Sequence, residues 1–359
     1  MKRARGLGSV MLIVIVACAP TPTATPVPPT ATRAAIASPT AAAATKAATG
    51  ADCAASNTLE QLGACITAKM PRKDTNGYVV PTKATQDAWK QVVAQMLAGK
   101  CDDIALPEPL KSAYTIGAFN GKENSSSYCV LMETLDSNND GRVDRGWGTF
   151  IVNPKPSREL SIQAPHPLYD IGTESEAIAV FKGTNARSFM LAGSHRDANP
   201  QRTPCEASTG EGEADAAHND TSLFFAATQT LADYYNANGK AWDELQFHGM
   251  GASTCPGVDA FISNGTSKPP KPGDKTLELR ANIAQRNAQW VITVAGETPS
   301  CGETGGTNVE GRLLNNVSAN QVCALSASDF SGRFIHIEQK TNLRAAIADW
   351  IAAINATWK

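Results

Sequence analysis

Leu160-Ser161-Ile162-Gln163-Ala164-Pro165-His166 reads as a strand, and the turn Pro167-Leu168-Tyr169-Asp170-Ile171-Gly172 leads into a helix over residues 173–181, with Thr173 placed to cap it. The same strand-to-helix pattern recurs outward from this unit. Strand-like runs fall at 128–135, 147–153, 188–195, 245–248, 290–295 and 334–338, and helical runs at 221–236, 276–286 and 343–354. Such alternation predicts an α/β domain over residues 126–359, with a mixed, largely parallel sheet and flanking helices. Residues 52–125 read differently. Trp89, Val92, Val93 and Met96 form one helical stripe that Gly99 stops, predicting a small N-terminal helical subdomain without a cluster suited to chemistry.

The chain holds only five histidines, at 166, 195, 218, 248 and 336. His166, His195 and His248 each close a predicted strand, and in open α/β sheets ligands bind beyond the carboxyl ends of strands. Asp170 follows His166 by four residues. Two imidazoles and a carboxylate, with a fourth position left open, are the ligand set of a catalytic zinc ion. His166, Asp170 and His248 fit it, with Glu174 as the second-choice carboxylate and Glu176 as a solvated helix residue.

Pro165-His166-Pro167-Leu168-Tyr169-Asp170-Ile171-Gly172-Thr173 resembles the His-…-Glu-x-Gly-Thr segment of phage-type poly-γ-glutamate hydrolases, relatives of zinc carboxypeptidases and N-formylglutamate amidohydrolases. Phe247-His248-Gly249 is similar to their later His-Gly, and Ile337-Glu338 with Leu343-Arg344 resembles their terminal strand-to-helix segment. The resemblance spans roughly residues 160–350. It implies a phosphorylase/hydrolase-like fold, one zinc ion, and Glu338 as the base that deprotonates water. It also implies that Arg196, in His195-Arg196-Asp197-Ala198-Asn199, polarises the scissile carbonyl or, with Asn199, holds a substrate carboxylate; an arginine fork suits both tasks. A structural ion pair is the other reading of Arg196. Arg344 joins the substrate-binding set, His195 orients a ligand or touches substrate, and His218 sits at the rim or caps a helix. His336 and Glu338, two apart on a strand, share one face.

The first residues read as an export signal. Lys2, Arg3 and Arg5 precede an apolar run over 7–16, and Ile15-Val16-Ala17-Cys18 resembles the lipobox of bacterial lipoproteins, which implies lipidation at Cys18. Residues 19–51 are rich in Thr, Pro and Ala with almost no large apolar side chain, the composition of a solvated tether. This predicts an exported chain, lipid-anchored at the outer face of a bacterial membrane and otherwise not membrane-embedded. Eight further cysteines, an even number, predict a disulfide framework. Nearest neighbours suggest Cys53–Cys65, Cys101–Cys129 and Cys301–Cys323. Cys205 and Cys255 follow the strand ends of His195 and His248, so a Cys205–Cys255 bridge is expected to clamp the pocket mouth.

Thirty-two basic against 34 acidic residues give a net charge of −2, which argues against nucleic acid as a partner. Asp136, Asn138 and Asp140 begin a loop with EF-hand-like spacing, but its twelfth position is Trp147 and strands flank it. A polar hairpin turn is the favoured reading, with Ca2+ as the lesser one. No G-x-S-x-G elbow occurs, which weighs against a serine esterase. The sequence therefore reads as a membrane-anchored zinc-dependent hydrolase cleaving an amide bond in a γ-glutamyl polymer, a peptide or an N-acyl amino acid. The alternative is a surface-anchored ligand-binding module on the same fold, without catalysis.

Overall fold

The computed structural model describes residues 53–122, 127–203, 205, 210–297 and 301–359. The export signal, Cys18 and the tether lie outside them. Nine strands form one sheet: β1 Tyr114–Asn120, β2 Ser127–Glu133, β3 Thr149–Val152, β4 Arg158–Ala164, β5 Ala186–Leu191, β6 Asp243–Gly249, β7 Ala260–Ser263, β8 Ile292–Val294 and β9 Phe334–Gln339, in the order β1-β2-β3-β5-β4-β6-β9-β7-β8. The α/β class is as expected. The sheet is less parallel than expected: β5-β4-β6-β9 and β7-β8 pair in parallel, whereas β1-β2-β3-β5 and β7-β9 are antiparallel. Hairpin-like connections at the N-terminal edge need no crossover helix, which is why antiparallel pairing prevails there.

Nine α-helices occur among the described residues: α1 Leu59–Ala68, α2 Lys83–Leu97, α3 Glu108–Lys111, α4 Thr173–Gly183, α5 Leu223–Asn238, α6 Lys275–Ala284, α7 Val309–Leu314, α8 Thr341–Arg344 and α9 Ile347–Thr357. None is long and apolar enough to cross a membrane. Residues 52–125 are not purely helical, because Tyr114–Asn120 pairs along its whole length with β2. The helix expected over 343–354 is two, separated at Ala345 and Ala346. Thr173 is the first helical residue rather than the cap: Gly172, at φ 99°, takes the cap position, and the Thr173 hydroxyl donates back to the Asp170 carbonyl at 2.8 Å.

Strand alternation sorts the two faces of the sheet's centre. Leu160 and Ile162 of β4, Leu245 and Phe247 of β6, and Ile335 and Ile337 of β9 enter one apolar core beneath α4 and α9, where Trp350 meets Phe247 edge-on at 5.9 Å. The alternate positions face the other way and are polar: Gln163 on β4, Glu244, Gln246 and His248 on β6, and His336 and Glu338 on β9. Register makes neighbours of Gln163 and Gln246, of Gln246 and His336, and of His248 and Glu338. A buried polar stripe costs stability unless its members are hydrogen-bonded, which sets this strip of the sheet apart from the apolar face opposite. From β4 the chain crosses to β5 on one side, and from β5 to β6 on the other, so the crevice at the carboxyl ends of β4 and β6 is the topological switch point.

Four disulfides are present: Cys53–Cys65, Cys101–Cys129, Cys205–Cys323 and Cys255–Cys301. Four bridges fit an oxidising, exported environment. The expected Cys205–Cys255 clamp and the Cys301–Cys323 pair are overturned. The loop after β8 folds back over the loop after β6, so Cys301 meets Cys255, while Cys205 reaches Cys323 across 118 residues of chain. The loop at 136–144 is closed by its own backbone: Asp136 accepts N–H bonds from Asp140 and Gly141, Asp140 one from Arg142, and Asp144 one from Ser137.

Candidate metal centre

His166 leaves β4 through Pro165 and begins a tight reversal. Leu168 adopts a left-handed φ of 68°, uncommon for a branched side chain, and the Asp170 N–H bonds the His166 carbonyl at 2.9 Å. This turn brings His166 and Asp170, four apart in sequence, onto one point. His248 arrives from the adjacent strand β6. His166 Nδ1 lies 3.2 Å from Asp170 Oδ2 and 3.2 Å from His248 Nδ1, and His248 Nδ1 lies 3.5 Å from Asp170 Oδ2. All three residues are buried.

The other nitrogen of each ring is already committed. His166 Nε2 sits 3.0 Å from Asp215 Oδ1, and His248 Nε2 sits 2.8 Å from Gln246 Oε1. Burial alone would raise the Asp215 carboxyl, but His218, His166 and Arg196 outweigh it and hold Asp215 well below the usual carboxylate range. Asp215 therefore only accepts, and His166 Nε2 must carry a proton. Burial pushes His248 down to about 4, so its ring is neutral near pH 7. Burial would raise Asp170 too, yet the two imidazoles beside it, His166 and His248, lower it by favouring its charged form. With both Nε2 protonated, two nitrogen lone pairs and a carboxylate oxygen converge. A proton on His166 relieves the crowding of acceptors, and so does a cation. Burial lowers His166, but Asp215 and Asp170 outweigh it and raise its pKa.

The donor set fits zinc. Ligands ~2.0 Å from a tetrahedral centre stand about 3.3 Å apart, and the triangle has edges of 3.2, 3.2 and 3.5 Å. Each histidine also has the carboxylate or carbonyl acceptor behind it that metal-bound imidazoles use. Glu174, the second-choice ligand, is turned away: its Oε2 accepts the Gly172 N–H at 3.1 Å at the start of α4. Glu176 is not solvated; it is fully buried and accepts from Gln339 Nε2 at 2.6 Å.

The triangle lines a cavity of about 810 Å³, together with Tyr169, Arg196, His218, His336, Glu338 and Arg344. Glu338 is 3.8 Å from His336 Nε2, and the ligating atoms of His248, His336 and Glu338 fall within 4.8 Å of one another. Burial, reinforced by Asp170 and Glu303, pushes Glu338 well above the usual carboxylate range. Gly305, at φ 65°, lies against the His336 ring, where a Cβ would come within 2.9 Å of it. Gly249 has a similar use: a Cβ there would meet Arg344 Nη1 at 2.1 Å, so only glycine after His248 lets the guanidinium lie across the strand end. Arg344 donates to Thr341 Oγ1 at 2.6 Å, and its Nε has no partner.

Arg196 lines the cavity and is ion-paired with Asp215 and Glu211, with Tyr169 beneath its guanidinium at 5.0 Å. His218 bridges Asp215 Oδ1 at 3.0 Å and Thr307 Oγ1 at 3.1 Å, on the cavity wall. Asn199 and His195 do not contribute to the lining. The Asn199 amide is spent on the Tyr78 backbone and Glu213, and His195 Nδ1 accepts the Asp197 N–H at 3.0 Å within its own turn. Sequence reading missed Asp215, which joins His166, His218 and Arg196, and missed Gln246 and Asn308. Asp215 follows a Gly/Glu-rich loop 49 residues from His166 and carries no motif.

No protein-family model matches the chain, and no curated protein matches it. Among solved structures, it is similar to the gene product Atu2144 from Agrobacterium tumefaciens (14% identity, TM-score 0.32, covering 56% of this chain and 85% of that one). It is also similar to a protein described as a carboxypeptidase A from Shewanella denitrificans (12%, 0.34, 68% and 64%) and to the LapA aminopeptidase of Legionella pneumophila (8%, 0.31, 86% and 72%). At these TM-scores the likenesses assign nothing to this chain.

Proposed function

We propose that the chain is an exported, metal-dependent amide hydrolase of carboxypeptidase-like type, with His166, Asp170 and His248 holding one zinc ion. The observation that carries this is the convergence of two imidazole nitrogens and a carboxylate oxygen, all buried, with each ring's second nitrogen already bonded. Zinc, when bound, supplies Lewis-acid activation of water and of the scissile carbonyl. The remaining work falls to the chain's own groups. Glu338 takes the proton from the attacking water at its carboxylate and returns it to the leaving amine. Burial raises its pKa, which makes the carboxylate a stronger base toward the water proton. Arg344, with one of its donors engaged, offers a fork to a substrate carboxylate. Arg196 is held charged by Asp215 and Glu211 against the effect of burial, and places a fixed cation on the wall where the carbonyl oxygen gains charge.

γ-Glutamyl polymers, peptides and N-acyl amino acids each present an amide near a carboxylate, which matches this arrangement. Lipid anchoring through Cys18 belongs to the same proposal. The test is zinc-dependent turnover by the purified chain on a panel of those three amide classes. Turnover that chelation abolishes and zinc restores supports the proposal; stoichiometric zinc without turnover on any amide would instead favour a binding module.

A further inference from the structure

We propose that Asn308, acting through Gln246, is a positioning residue that decides which nitrogen of His248 carries the proton, an inference resting on the reading of His248 as a metal ligand. Asn308 is the N-cap of α7, and its Oδ1 accepts the Gly311 N–H at 2.8 Å. Its amide nitrogen must therefore face the other way, where it donates to Gln246 Oε1. That contact fixes Gln246: its carbonyl oxygen points at Asn308 and at His248, and its amide nitrogen donates to Gln163 Oε1 at 3.0 Å.

From there the chain of bonds runs on in one direction. Gln163 Nε2 donates to Thr228 Oγ1 at 3.3 Å, and the Thr228 hydroxyl donates to Glu244 Oε2 at 3.2 Å. With Gln246 Oε1 fixed as an acceptor, His248 Nε2 at 2.8 Å must be the protonated nitrogen, which leaves the Nδ1 lone pair facing His166 and Asp170. A reversed Gln246 would set its amide nitrogen against two other donors. Gln163, Gln246 and Asn308 are at most 2% exposed, so water does not relieve such contacts. A helix cap thus selects the tautomer of a histidine on a strand. Gln246, by accepting from both Asn308 and His248, is the link.

The test uses the full chain, labelled with 15N-histidine and freed of metal, with each of its five histidines assigned through a His→Gln variant. Long-range 1H–15N spectra distinguish the two tautomers. Wild-type His248 should show a protonated Nε2. Asn308→Asp keeps an oxygen for the Gly311 N–H but replaces the donor to Gln246 with an acceptor. Gln246 should reverse, His248 should move its proton to Nδ1, and zinc affinity should weaken about 10–100-fold, the usual effect of a group behind a ligand. Gln246→Glu presents only acceptors to His248 and should retain the wild-type tautomer. If Asn308→Asp does not fold, Asn308→Ser keeps the cap and removes the donor, and should give mixed tautomers. An Nδ1–H signal in the wild type, or a folded Asn308 variant with the His248 pattern unchanged, overturns the proposal. A tautomer switch in a chain that never binds zinc would contradict the metal reading and leave the positioning role standing.

Discussion

His166 and His248 face each other Nδ1 to Nδ1 at 3.2 Å, and while both rings are neutral with the proton on Nε2 neither can bridge the gap. Two lone pairs at that distance repel, and Asp170 Oδ2 adds a third acceptor. The carboxyl ends of two adjacent parallel strands put them there, and Asp215 and Gln246 hold their proton-bearing sides away. The same geometry that burdens the metal-free protein suits a cation.

Asp215→Asn should weaken zinc binding by about 10–100-fold, because the amide no longer enforces the His166 tautomer. It also removes a carboxylate from the half-buried Arg196, so the melting temperature should fall. A competition titration with a chromophoric chelator reads the first effect. Unchanged affinity would separate Asp215 from the metal centre.

Glu338→Gln preserves shape and cannot take a proton. Zinc content should stay near wild type while turnover drops by about 10²–10⁴-fold. Loss of zinc in this variant would move Glu338 from proton transfer into the ligand set.

Cys255–Cys301 ties the loop after β6 to the segment that carries Glu303, Gly305 and Thr307 over the cavity. Replacing both cysteines with serine should lower stability by about 2–4 kcal/mol in the chain-entropy picture. Turnover should fall more than zinc content, since no ligand lies on either loop. Non-reducing peptide mapping checks the pairing: a Cys205–Cys255 peptide would contradict it.

Glu133 and Glu244 are buried carboxyls that desolvation raises from 4.5 to about 8. Because the fold favours their protonated forms, their contribution to stability is fully present below pH 4.5 and is lost as pH rises through about 8. The melting temperature should decline across that window. Glu244→Gln keeps an acceptor for Thr228 without the ionisation, so its profile should be flatter. Parallel wild-type and variant profiles would contradict the assignment.

Much of this centre was legible because it lies at strand ends. His166 and His248 stand out in a chain with few histidines, and the turn from His166 to Asp170 is local. Asp215 and Asn308 were illegible for a physical reason: both reach the site only when distant loops close over the sheet, and short polar residues in Gly-rich loops look like any turn. Strand β1 was hidden because Gly117 interrupts Tyr114-Thr115-Ile116 and Ala118-Phe119, and β7 because four residues make too short a pattern. The disulfide exchange has the same origin. Nearest-neighbour pairing holds for Cys53–Cys65 and Cys101–Cys129 and fails for Cys301, which meets Cys255 from the loop after β6 and leaves Cys323 to Cys205. A strand-end position does not reveal that the His195 ring is engaged by its own turn, or that the Asn199 amide is engaged by Tyr78 and Glu213.

Metal content after exhaustive dialysis, measured in parallel on the wild type and on His166→Ala, decides whether His166, Asp170 and His248 hold a metal ion. About one zinc per wild-type chain is expected, with a large loss in a variant that still melts cooperatively. Equal metal content in the two folded proteins, or none in the wild type after incubation with zinc, would contradict it.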